Sequence, residues 1–198
     1  MEPNTTNWEE LYAQNDTGWD LGAISLPIKT YADQITNRDI SILIPGAGNS
    51  HEAEYLFNQG FTNITVLDIA KAPLNNIQQR VPQFPPNQLI HRDFFTFEGQ
   101  FDLIIEQTFF CAIHPSLRPK YVKQMHSLLK PTGKLTGLLF DFPLDEDGPP
   151  FGGDPENYHA LFSTHFKVEK LEPCYNSVEK RKSRELFVKF RPATPSAL

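Results

Sequence analysis

Residues 40–49 have the sequence ISILIPGAGN, and this stretch decides the fold of the chain. Four of its first five residues are apolar and a Gly-x-Gly turn follows, which predicts a buried parallel strand that ends in a glycine loop. Residues 51–59 contain helix formers and stop before Gly60, so a helix is predicted there. Residues 63–69 predict a second strand with Asp68 near its end. Strand, glycine turn, helix, strand and acid in this order are typical of a nucleoside-binding α/β crossover.

The glycine turn also indicates which nucleoside ligand fits. A dinucleotide fingerprint requires Gly-x-Gly-x-x-Gly, but the third glycine position is His51, and no Lys-Ser/Thr pair follows to form a phosphate loop. Gly46 and Gly48 would let the backbone approach an adenosine that carries no phosphate, and Asp68 would accept hydrogen bonds from the ribose hydroxyls. The pattern therefore favours S-adenosylmethionine as the cofactor. Two alternatives stay open: a plain tight turn with a surface acid, and a nucleotide-linked dehydrogenase.

Length and composition exclude several classes of protein. The 198 residues predict a single domain spanning residues 1–198. A net charge of −6 provides no long-range attraction for nucleic acid, and we interpret the basic residues 180–184 as a solvated hairpin turn. No apolar run approaches the roughly 18 residues of a membrane span, and the polar N-terminus has no signal-peptide pattern. We therefore expect a cytoplasmic monomer without nucleic-acid or membrane partners.

The potential metal ligands are dispersed along the chain. Cys111 and Cys174 are far apart and lack the spacing of a zinc site, and the six histidines are scattered without i, i+4 pairing. We predict no metal site, and we expect both thiols to be reduced.

Strand and helix patterns alternate along the rest of the chain. The predicted strands are residues 40–44, 63–69, 89–94, 101–107, 134–142, 166–175 and 184–190. Five strands alternate with helices and the last two form an antiparallel hairpin, which predicts an α/β fold with a doubly wound, seven-stranded sheet. Such sheets bind ligands at the carboxyl ends of their strands. Gly46, Asp68, Asp93 and Gln107 each lie at or just past such an end, so we expect them to meet at one edge.

An aromatic segment precedes the first strand. Trp8 and Tyr12 have i, i+4 spacing in a predicted helix, and Trp19 follows in a loop. One hypothesis is that residues 1–30 form an arm or lid over the cofactor. The alternative is an arm that its large side chains merely anchor to the body.

Several strings resemble those of the thiopurine S-methyltransferase family of S-adenosylmethionine-dependent methyltransferases, and particularly its halide and thiol methyltransferase branch. In order along the chain they are Trp8, Tyr12 and Trp19-Asp20-x-Gly22, Pro45-Gly46-Ala47-Gly48, Leu67-Asp68-Ile69, Asp93-Phe94-Phe95, Phe109-Phe110-Cys111-Ala112-Ile113-x-Pro115-x-x-Arg118-Pro119, Leu128-Leu129-Lys130-Pro131-x-Gly133 and Gly148-Pro149-Pro150-Phe151. The resemblance implies a Rossmann-like class I methyltransferase that acts on a small nucleophile and releases S-adenosylhomocysteine.

The resemblance also implies a set of cofactor-binding residues. Carried over to this chain, they are Trp8, Trp19, Gly46, Gly48, Asp68, Ile69, Asp93, Phe94 and Gln107. The sequence departs from the family pattern at Tyr12, where relatives often have tryptophan, at Ala47, which replaces a small cysteine, and at Gln107, where the halide branch tends to have tyrosine. The Gln107 position lies where cofactor and acceptor meet. A non-catalytic S-adenosylmethionine-binding module is therefore an alternative to an enzyme.

The methyl acceptor is expected in an aromatic pocket near the same edge. The candidate wall residues are Phe109, Phe110, Phe142 and Phe151, with Tyr158 facing the pocket and Arg118 holding an anionic acceptor. Core packing is the alternative for each aromatic residue, and a surface ion pair for the arginine. Because His114 has no evident acid partner, we predict catalysis by positioning, without an acid or base residue. A thiol, halide or thiopurine-like acceptor suits such a pocket, since soft nucleophiles are weakly hydrated.

Overall fold

The computed structural model describes residues 6–145 and 147–193, so the first five residues of the predicted arm lie outside the described part. The strands are β1 Ile42–Pro45, β2 Ile64–Asp68, β3 Leu89–His91, β4 Phe101–Gln107, β5 Leu129–Phe140, β6 Phe166–Pro173 and β7 Glu185–Pro192. The helices are α1 Trp8–Ala13, α2 Leu26–Ala32, α3 His51–Asn58, α4 Lys71–Arg80, α5 Arg118–Ser127 and α6 Pro155–Phe162. Short 3₁₀ turns lie between several of these elements.

The seven strands form one sheet in the order β3-β2-β1-β4-β5-β7-β6. The pairs from β3 to β5 are parallel, and β7 is antiparallel to both of its neighbours. The chain crosses from β1 outward to β3 and then returns to the other side of β1 at β4, so the switch point lies between β1 and β4. The predicted doubly wound sheet with its terminal hairpin is confirmed.

Helices cover the sheet on both faces. On one face α2, α3 and α4 bury a cluster that includes Ile28, Leu56 and Ile77. On the other face α5 and α6 bury a second cluster that includes Tyr121 and Phe162. Buried parallel strands with helices on both sides are the arrangement that the near-continuous apolar runs predicted. The carboxyl ends of β1, β2 and β4 are left between the helix layers, where a ligand can enter.

The start of β5 differs by five residues from the sequence prediction. Strand β5 begins at Leu129, five residues before the predicted start at Lys134, because Leu129 pairs with Phe101 of β4 before a register shift. Gly133 sits at that irregularity, where a Cβ atom would lie 2.8 Å from the Phe101 carbonyl oxygen. The Lys130–Gly133 segment is therefore part of β5.

Among the described residues no helix is both long enough and apolar enough to cross a membrane.

Candidate active site

A cavity of about 640 Å³ lies at the carboxyl ends of β1, β2 and β4. All nine predicted cofactor-binding residues line it: Trp8, Trp19, Gly46, Gly48, Asp68, Ile69, Asp93, Phe94 and Gln107. The switch point of the sheet thus brings together residues that are widely separated in sequence. Their contacts to a cofactor are a prediction, and the geometry below describes how the chain holds them.

The glycine turn after β1 requires glycine at two positions. Gly46 and Gly48 have φ values of +54° and +53°, which L side chains rarely adopt. A Cβ atom at Gly46 would overlap the ring of Phe109, and one at Gly48 would lie 2.9 Å from the Tyr12 hydroxyl oxygen. The turn is therefore pressed between the loop after β4 and the N-terminal aromatic residues, with no room for a larger side chain.

The carboxylate of Asp68 connects this turn to β2. One oxygen accepts the Gly48 N–H at 2.9 Å and the other accepts the Ala70 N–H at 2.8 Å. Burial raises the pKa of Asp68, while these backbone N–H groups act in the opposite direction by favouring the charged form. Each oxygen has further acceptor capacity and the residue faces the cavity. Ile69, beside it on the cavity wall, is 53% exposed.

The described N-terminal residues 6–25, here called the aromatic arm, contribute to the cavity wall beside the glycine turn. Trp19 packs edge-on against both Trp8 and Tyr12, with ring centroids 5.4 Å and 5.7 Å apart. Glu9 accepts the backbone N–H groups of residues 71 and 72 at 2.7 Å and 3.3 Å, so the arm caps the N-terminus of α4. The arm is therefore both anchored to the body and part of the cavity.

A second polar contact attaches the arm to α3. The Asp20 carboxylate accepts a hydrogen bond from the Asn49 side chain, lies 2.9 Å from His51 Nε2, and accepts the Gly22 N–H at 2.7 Å. Burial alone would raise the pKa of Asp20, but these partners hold it below its ordinary value. Asp20 is thus held as a carboxylate that fixes the arm beside the glycine turn.

The ends of β3 and β4 complete the cofactor side of the cavity. Asp93 is exposed and its carboxylate accepts the Phe95 N–H at 2.9 Å, which starts a 3₁₀ turn and leaves Phe94 buried. Gln107 accepts a hydrogen bond from the Ser25 hydroxyl at 2.8 Å. The amide that departs from the family pattern is therefore partly engaged with the residue that precedes α2.

Glu106 organises the turn that follows β4. One carboxylate oxygen accepts the Phe109 and Phe110 N–H groups at 2.8 Å and 2.9 Å, and the other accepts a hydrogen bond from the Tyr121 hydroxyl. Burial raises the pKa of Glu106 to about 7, against the effect of those donors. Thr108 between them has a φ of +56°, an uncommon conformation for a residue with a side chain. This turn points the Phe109 ring at Gly46.

The other end of the cavity is apolar and aromatic with a basic edge. Its lining residues are Phe109, Phe140, Phe142, Ala112, Ile113, Pro149 and Pro150, with Lys180, Arg181 and Arg184 at the margin. The Arg184 guanidinium lies over the Phe142 ring, 4.6 Å from its centroid. We call this region the acceptor end, and the region around Gly46, Gly48 and Asp68 the cofactor end.

Four of the predicted acceptor-binding residues do not line the cavity. Phe110, Phe151 and Tyr158 are at most 5% exposed and pack behind the wall. Phe110 packs edge-on against Tyr158, whose hydroxyl donates to the Phe140 carbonyl at 2.8 Å. Their aromatic side chains therefore support the wall residues and do not form the surface that an acceptor would touch. Core packing was the correct interpretation for these three.

Arg118 is the fourth correction. Its guanidinium donates to the Phe151 and Gly152 carbonyl oxygens at 3.3 Å and 2.8 Å and lies 4.5 Å from the centroid of the Phe110 ring. Because the side chain is buried and its Nη2 group donates to both carbonyl oxygens, it fixes the loop before α6, and it does not line the cavity where an anionic acceptor would bind. The alternative of a surface ion pair is also wrong.

The basic residues 180–184 are not simply a solvated turn. Arg181 is 7% exposed and reaches the cavity, whereas Lys182 on the same connection is exposed. The Arg181 side chain donates to the Trp19 carbonyl, so it contacts the arm. Charge composition alone gave no signal for this contact, because it joins residues 162 positions apart.

Sequence reasoning also missed several polar residues on the cavity wall. Asn49, Ser50 and His51 follow the glycine turn and line the cavity, and the Ser50 hydroxyl is buried with no hydrogen-bond partner among the described residues. Ser50 has a φ of +54° at the start of α3. The position directly after a glycine turn, at a helix N-terminus, was the available signal.

Nothing in the described ranges, 6–145 and 147–193, forms a group of three or more His, Cys, Asp or Glu side chains able to hold a metal ion. Both cysteines are free and buried. Burial raises the pKa of the Cys111 thiol to about 12, so this thiol stays protonated at neutral pH and is a poor nucleophile or base.

Solved structures establish the fold class. The structure of the *Burkholderia thailandensis* 1,6-didemethyltoxoflavin-N1-methyltransferase, which contains S-adenosylhomocysteine, superposes with a TM-score of 0.76 at 18% identity over 93% of this chain and 85% of that chain. A TehB-like S-adenosylmethionine-dependent methyltransferase from *Corynebacterium glutamicum* gives 0.66 at 18% identity over 93% and 98%. The seven-stranded sheet is thus that of the class I S-adenosylmethionine-dependent methyltransferases.

Sequence relatives establish the family. The family model for thiopurine S-methyltransferase matches residues 3–191. The chain is similar to probable thiol methyltransferase 2 of *Arabidopsis thaliana*, with 32% identity over 98% of this chain and 88% of the relative. It is also similar to thiocyanate methyltransferase 1 of the same plant, with 28% identity over 90% and 81%. The chain therefore belongs to the thiopurine S-methyltransferase family and is a methyltransferase that uses S-adenosylmethionine, which sets aside the dehydrogenase and the non-catalytic module.

The cofactor end fits S-adenosylmethionine on physical grounds. The two glycines leave a cradle that a Cβ atom would obstruct, Asp68 lines the cavity and its carboxylate oxygens have further acceptor capacity, and the Ser50 hydroxyl has no hydrogen-bond partner among the described residues. Aromatic faces of the arm suit a positively charged sulfonium, an attraction of roughly 0.5–2 kcal/mol for each ring.

Proposed function

We propose that this enzyme transfers the methyl group of S-adenosylmethionine to a thiol or to a similarly soft anion such as thiocyanate. The names of the two *Arabidopsis* relatives support this acceptor class. The acceptor end supports it independently, since apolar and aromatic walls suit a large, weakly hydrated sulfur nucleophile. The margin with Arg181 and Arg184 favours an acceptor that carries negative charge.

One observation carries the proposal: a single cavity has a glycine and carboxylate cradle at one end and an aromatic chamber at the other. We propose that Trp8, Trp19, Gly46, Gly48, Asp68, Ile69, Asp93, Phe94 and Gln107 hold the cofactor. Of the predicted acceptor residues we retain Phe142, and we add Phe109 and Phe140. Phe109 joins the two ends, because its ring lies against the glycine turn and also forms part of the acceptor wall.

The chemistry asked of these residues is positioning. When bound, S-adenosylmethionine supplies an electrophilic methyl group on a sulfonium. An acceptor that is already an anion gives up no proton, so the side chains need only align it and exclude water. Alignment of this kind can contribute up to about 7–11 kcal/mol to lowering a barrier. The neutral Cys111 thiol at the acceptor end accords with this assignment, since it would not compete as a nucleophile.

The remaining features of the proposal concern the whole molecule. We propose a single domain that acts as a monomer without a nucleic-acid partner, in accord with the net charge of −6. A cytoplasmic location accords with two free cysteines.

The test is a panel of acceptors with mass detection of the methylated product. Thiocyanate, bisulfide, thiophenol, a thiopurine and iodide are each incubated with enzyme and S-adenosylmethionine, and calorimetry with S-adenosylhomocysteine runs in parallel. We expect methylated product from the sulfur acceptors and tight binding of S-adenosylhomocysteine. If S-adenosylhomocysteine binds but no member of the panel is methylated, the proposed acceptor class is wrong and the cofactor assignment stands.

A further inference from the structure

We propose that Arg181 is a positioning residue that holds the aromatic arm closed over the cofactor end of the cavity from the acceptor side. The residue lies in a 3₁₀ turn, Glu179–Arg181, in the connection between β6 and β7. It is remote in sequence from every other residue assigned to the cofactor. Its contacts nevertheless place it at the junction of arm, sheet and cavity.

The guanidinium of Arg181 contacts three parts of the molecule at once. Nη2 donates to the Trp19 carbonyl at 2.6 Å, Nη1 lies 3.4 Å from a Glu185 carboxylate oxygen at the start of β7, and the group sits 5.6 Å from the centroid of the Phe140 ring. The bond to the arm is the shortest of these. The Arg181 guanidinium is therefore directed toward the Trp19 carbonyl, and it also contacts the Glu185 carboxylate and the Phe140 ring of the acceptor end.

Burial explains why this contact matters. The Arg181 and Glu185 side chains are 8% and 2% exposed, so both charges have been withdrawn from water. Such a pair contributes little net stability, because the desolvation cost offsets the attraction. The guanidinium supplies a fixed, planar set of hydrogen-bond donors, and one of them donates to a backbone carbonyl of the arm. Lysine would provide a charge there but not the same fork of donors.

The other attachments of the arm hold residues other than Trp19, whose carbonyl accepts the hydrogen bond from Arg181. Glu9 fixes one end of the arm at α4, and Asp20 and Ser25 fix the other end at α3 and β4. Trp19 directly precedes Asp20, and its ring packs on Trp8 and Tyr12 beside Gly48. The Lys180 amine reaches the Gly18 carbonyl only at 3.5 Å and is exposed, so it adds little. Loss of the Arg181 bond should loosen the arm at Trp19, while the contacts of Asp20 with Asn49 and His51 remain.

A consequence for the reaction follows. The same guanidinium lines the acceptor end and restrains the wall of the cofactor end, so the two ends share one side chain. Arm closure and acceptor positioning are therefore coupled through Arg181. Only this kinetic consequence rests on the proposed function, because the contact with the arm can be measured without any acceptor.

The chain provides its own reporter for the experiment. Its two tryptophans, Trp8 and Trp19, are both in the arm, so tryptophan fluorescence that is excited selectively over tyrosine reports on the arm alone. Two variants of the full chain are compared with the wild type: Arg181→Lys, which keeps the charge beside Glu185, and the double variant Arg181→Met with Glu185→Gln, which leaves no unpaired buried carboxylate. Lys182→Gln is the matched control, because Lys182 is an exposed neighbour whose ion pair within the described part of the chain is with Glu179 at 3.7 Å.

In both Arg181 variants we expect the acrylamide quenching constant to rise toward that of free tryptophan. We also expect the KM for S-adenosylmethionine and the Kd for S-adenosylhomocysteine to rise about tenfold, the size of one lost charge-assisted hydrogen bond. The unfolding midpoint of the Arg181→Lys variant should stay near that of the wild type, and Lys182→Gln should match the wild type throughout. Unchanged quenching in both Arg181 variants would overturn the proposal, including the case in which only the acceptor KM rises. Absence of methylated product from wild-type protein would instead count against the proposed function, while the quenching result would still decide the role of Arg181.

Discussion

Each end of the cavity contains a carboxylate that accepts backbone N–H groups, and the two carboxylates have different roles. At the cofactor end, Asp68 accepts the N–H groups of residues 48 and 70, and at the acceptor end, Glu106 accepts those of residues 109 and 110. Each carboxylate fixes the loop that follows a strand. Asp68 faces the cavity, whereas Glu106 is 1% exposed and lies behind the wall.

This difference separates binding from support. At the cofactor end the backbone and one carboxylate are themselves the binding surface, so structure and function reside in the same atoms. At the acceptor end the surface consists of phenylalanine side chains, and the polar groups that hold them are buried out of reach of a ligand. We expect substitutions at the first carboxylate to change affinity, and substitutions at the second to change stability.

The largest effect is expected where the two ends touch. Gly46→Ala forces a residue with a side chain into the left-handed region at φ +54° and drives its Cβ into the Phe109 ring. The strain costs about 1–2 kcal/mol and the overpacking about 1–3 kcal/mol, so urea unfolding should show a loss of about 2–5 kcal/mol. Gly22→Ala is the matched control, since Gly22 has a φ of +71° but nothing within 4 Å of a new Cβ. If the two variants lose the same unfolding free energy, the Phe109 ring can move aside and its contact with residue 46 adds no cost.

The next effect tests whether Glu106 supports the wall without touching ligand. Because burial raises its pKa from 4.5 to about 7, the folded protein binds this proton more tightly than the unfolded chain does. The stability that this group contributes is fully present below pH 4.5 and is lost as the pH rises through about 7, by at most about 3 kcal/mol. Glu106→Gln removes the titration and can still accept the backbone N–H bonds. The unfolding free energy of the wild type should therefore decrease relative to that of the Glu106→Gln protein as the pH rises from 4.5 to 7, so that the two values converge or cross.

The Glu106→Gln protein should bind S-adenosylhomocysteine as the wild type does. A difference in unfolding free energy that is constant across that pH range would remove the titration from Glu106. A large loss of cofactor affinity would show that the support of the wall and the binding surface are not separable.

The sequence predicted, for a physical reason, which residues lie together on the cavity wall at the cofactor end. Gly46 and Asp68 follow directly from the strand order, because the end of each parallel strand is marked by its own local pattern and the ends share one edge. The sheet, the hairpin and the positions of these residues on the cavity wall all follow from local signals.

The acceptor end depends on choices that are not local. Phe109 and Phe110 are adjacent, yet only Phe109 lines the cavity, because Thr108 adopts a φ of +56° and Glu106 holds the turn from below. Arg181 sits in a basic run whose composition indicates solvent, and only tertiary contact buries it. Which of two neighbouring side chains faces a pocket is decided by packing partners far along the chain, and the sequence pattern contains no record of them.

Asp68→Asn tests the cofactor end with a change of one atom. Loss of the charge weakens acceptance of hydrogen bonds from ribose hydroxyls and from the Gly48 N–H. Calorimetry with S-adenosylhomocysteine should show a loss of about 1.5–3 kcal/mol, which is a roughly 10- to 150-fold higher Kd. Asp93→Asn serves for comparison, because Asp93 is exposed, and a smaller loss is expected. Unchanged affinity of the Asp68→Asn protein would remove the ribose contact from this carboxylate.

The smallest effect separates the wall of the acceptor end from what lies behind it. Phe142→Ala deletes a cavity-lining ring and the face on which Arg184 rests, so the KM for the acceptor should rise severalfold, about 1 kcal/mol, with the Kd for S-adenosylhomocysteine unchanged. Tyr158→Phe removes only the buried bond to the Phe140 carbonyl, and should lower the unfolding free energy by about 1 kcal/mol without moving the acceptor KM. Steady-state kinetics and urea unfolding on both variants provide the measurements. If Tyr158→Phe raises the acceptor KM as much as Phe142→Ala does, the wall and its support act as one unit, and the contrast with the cofactor end is lost.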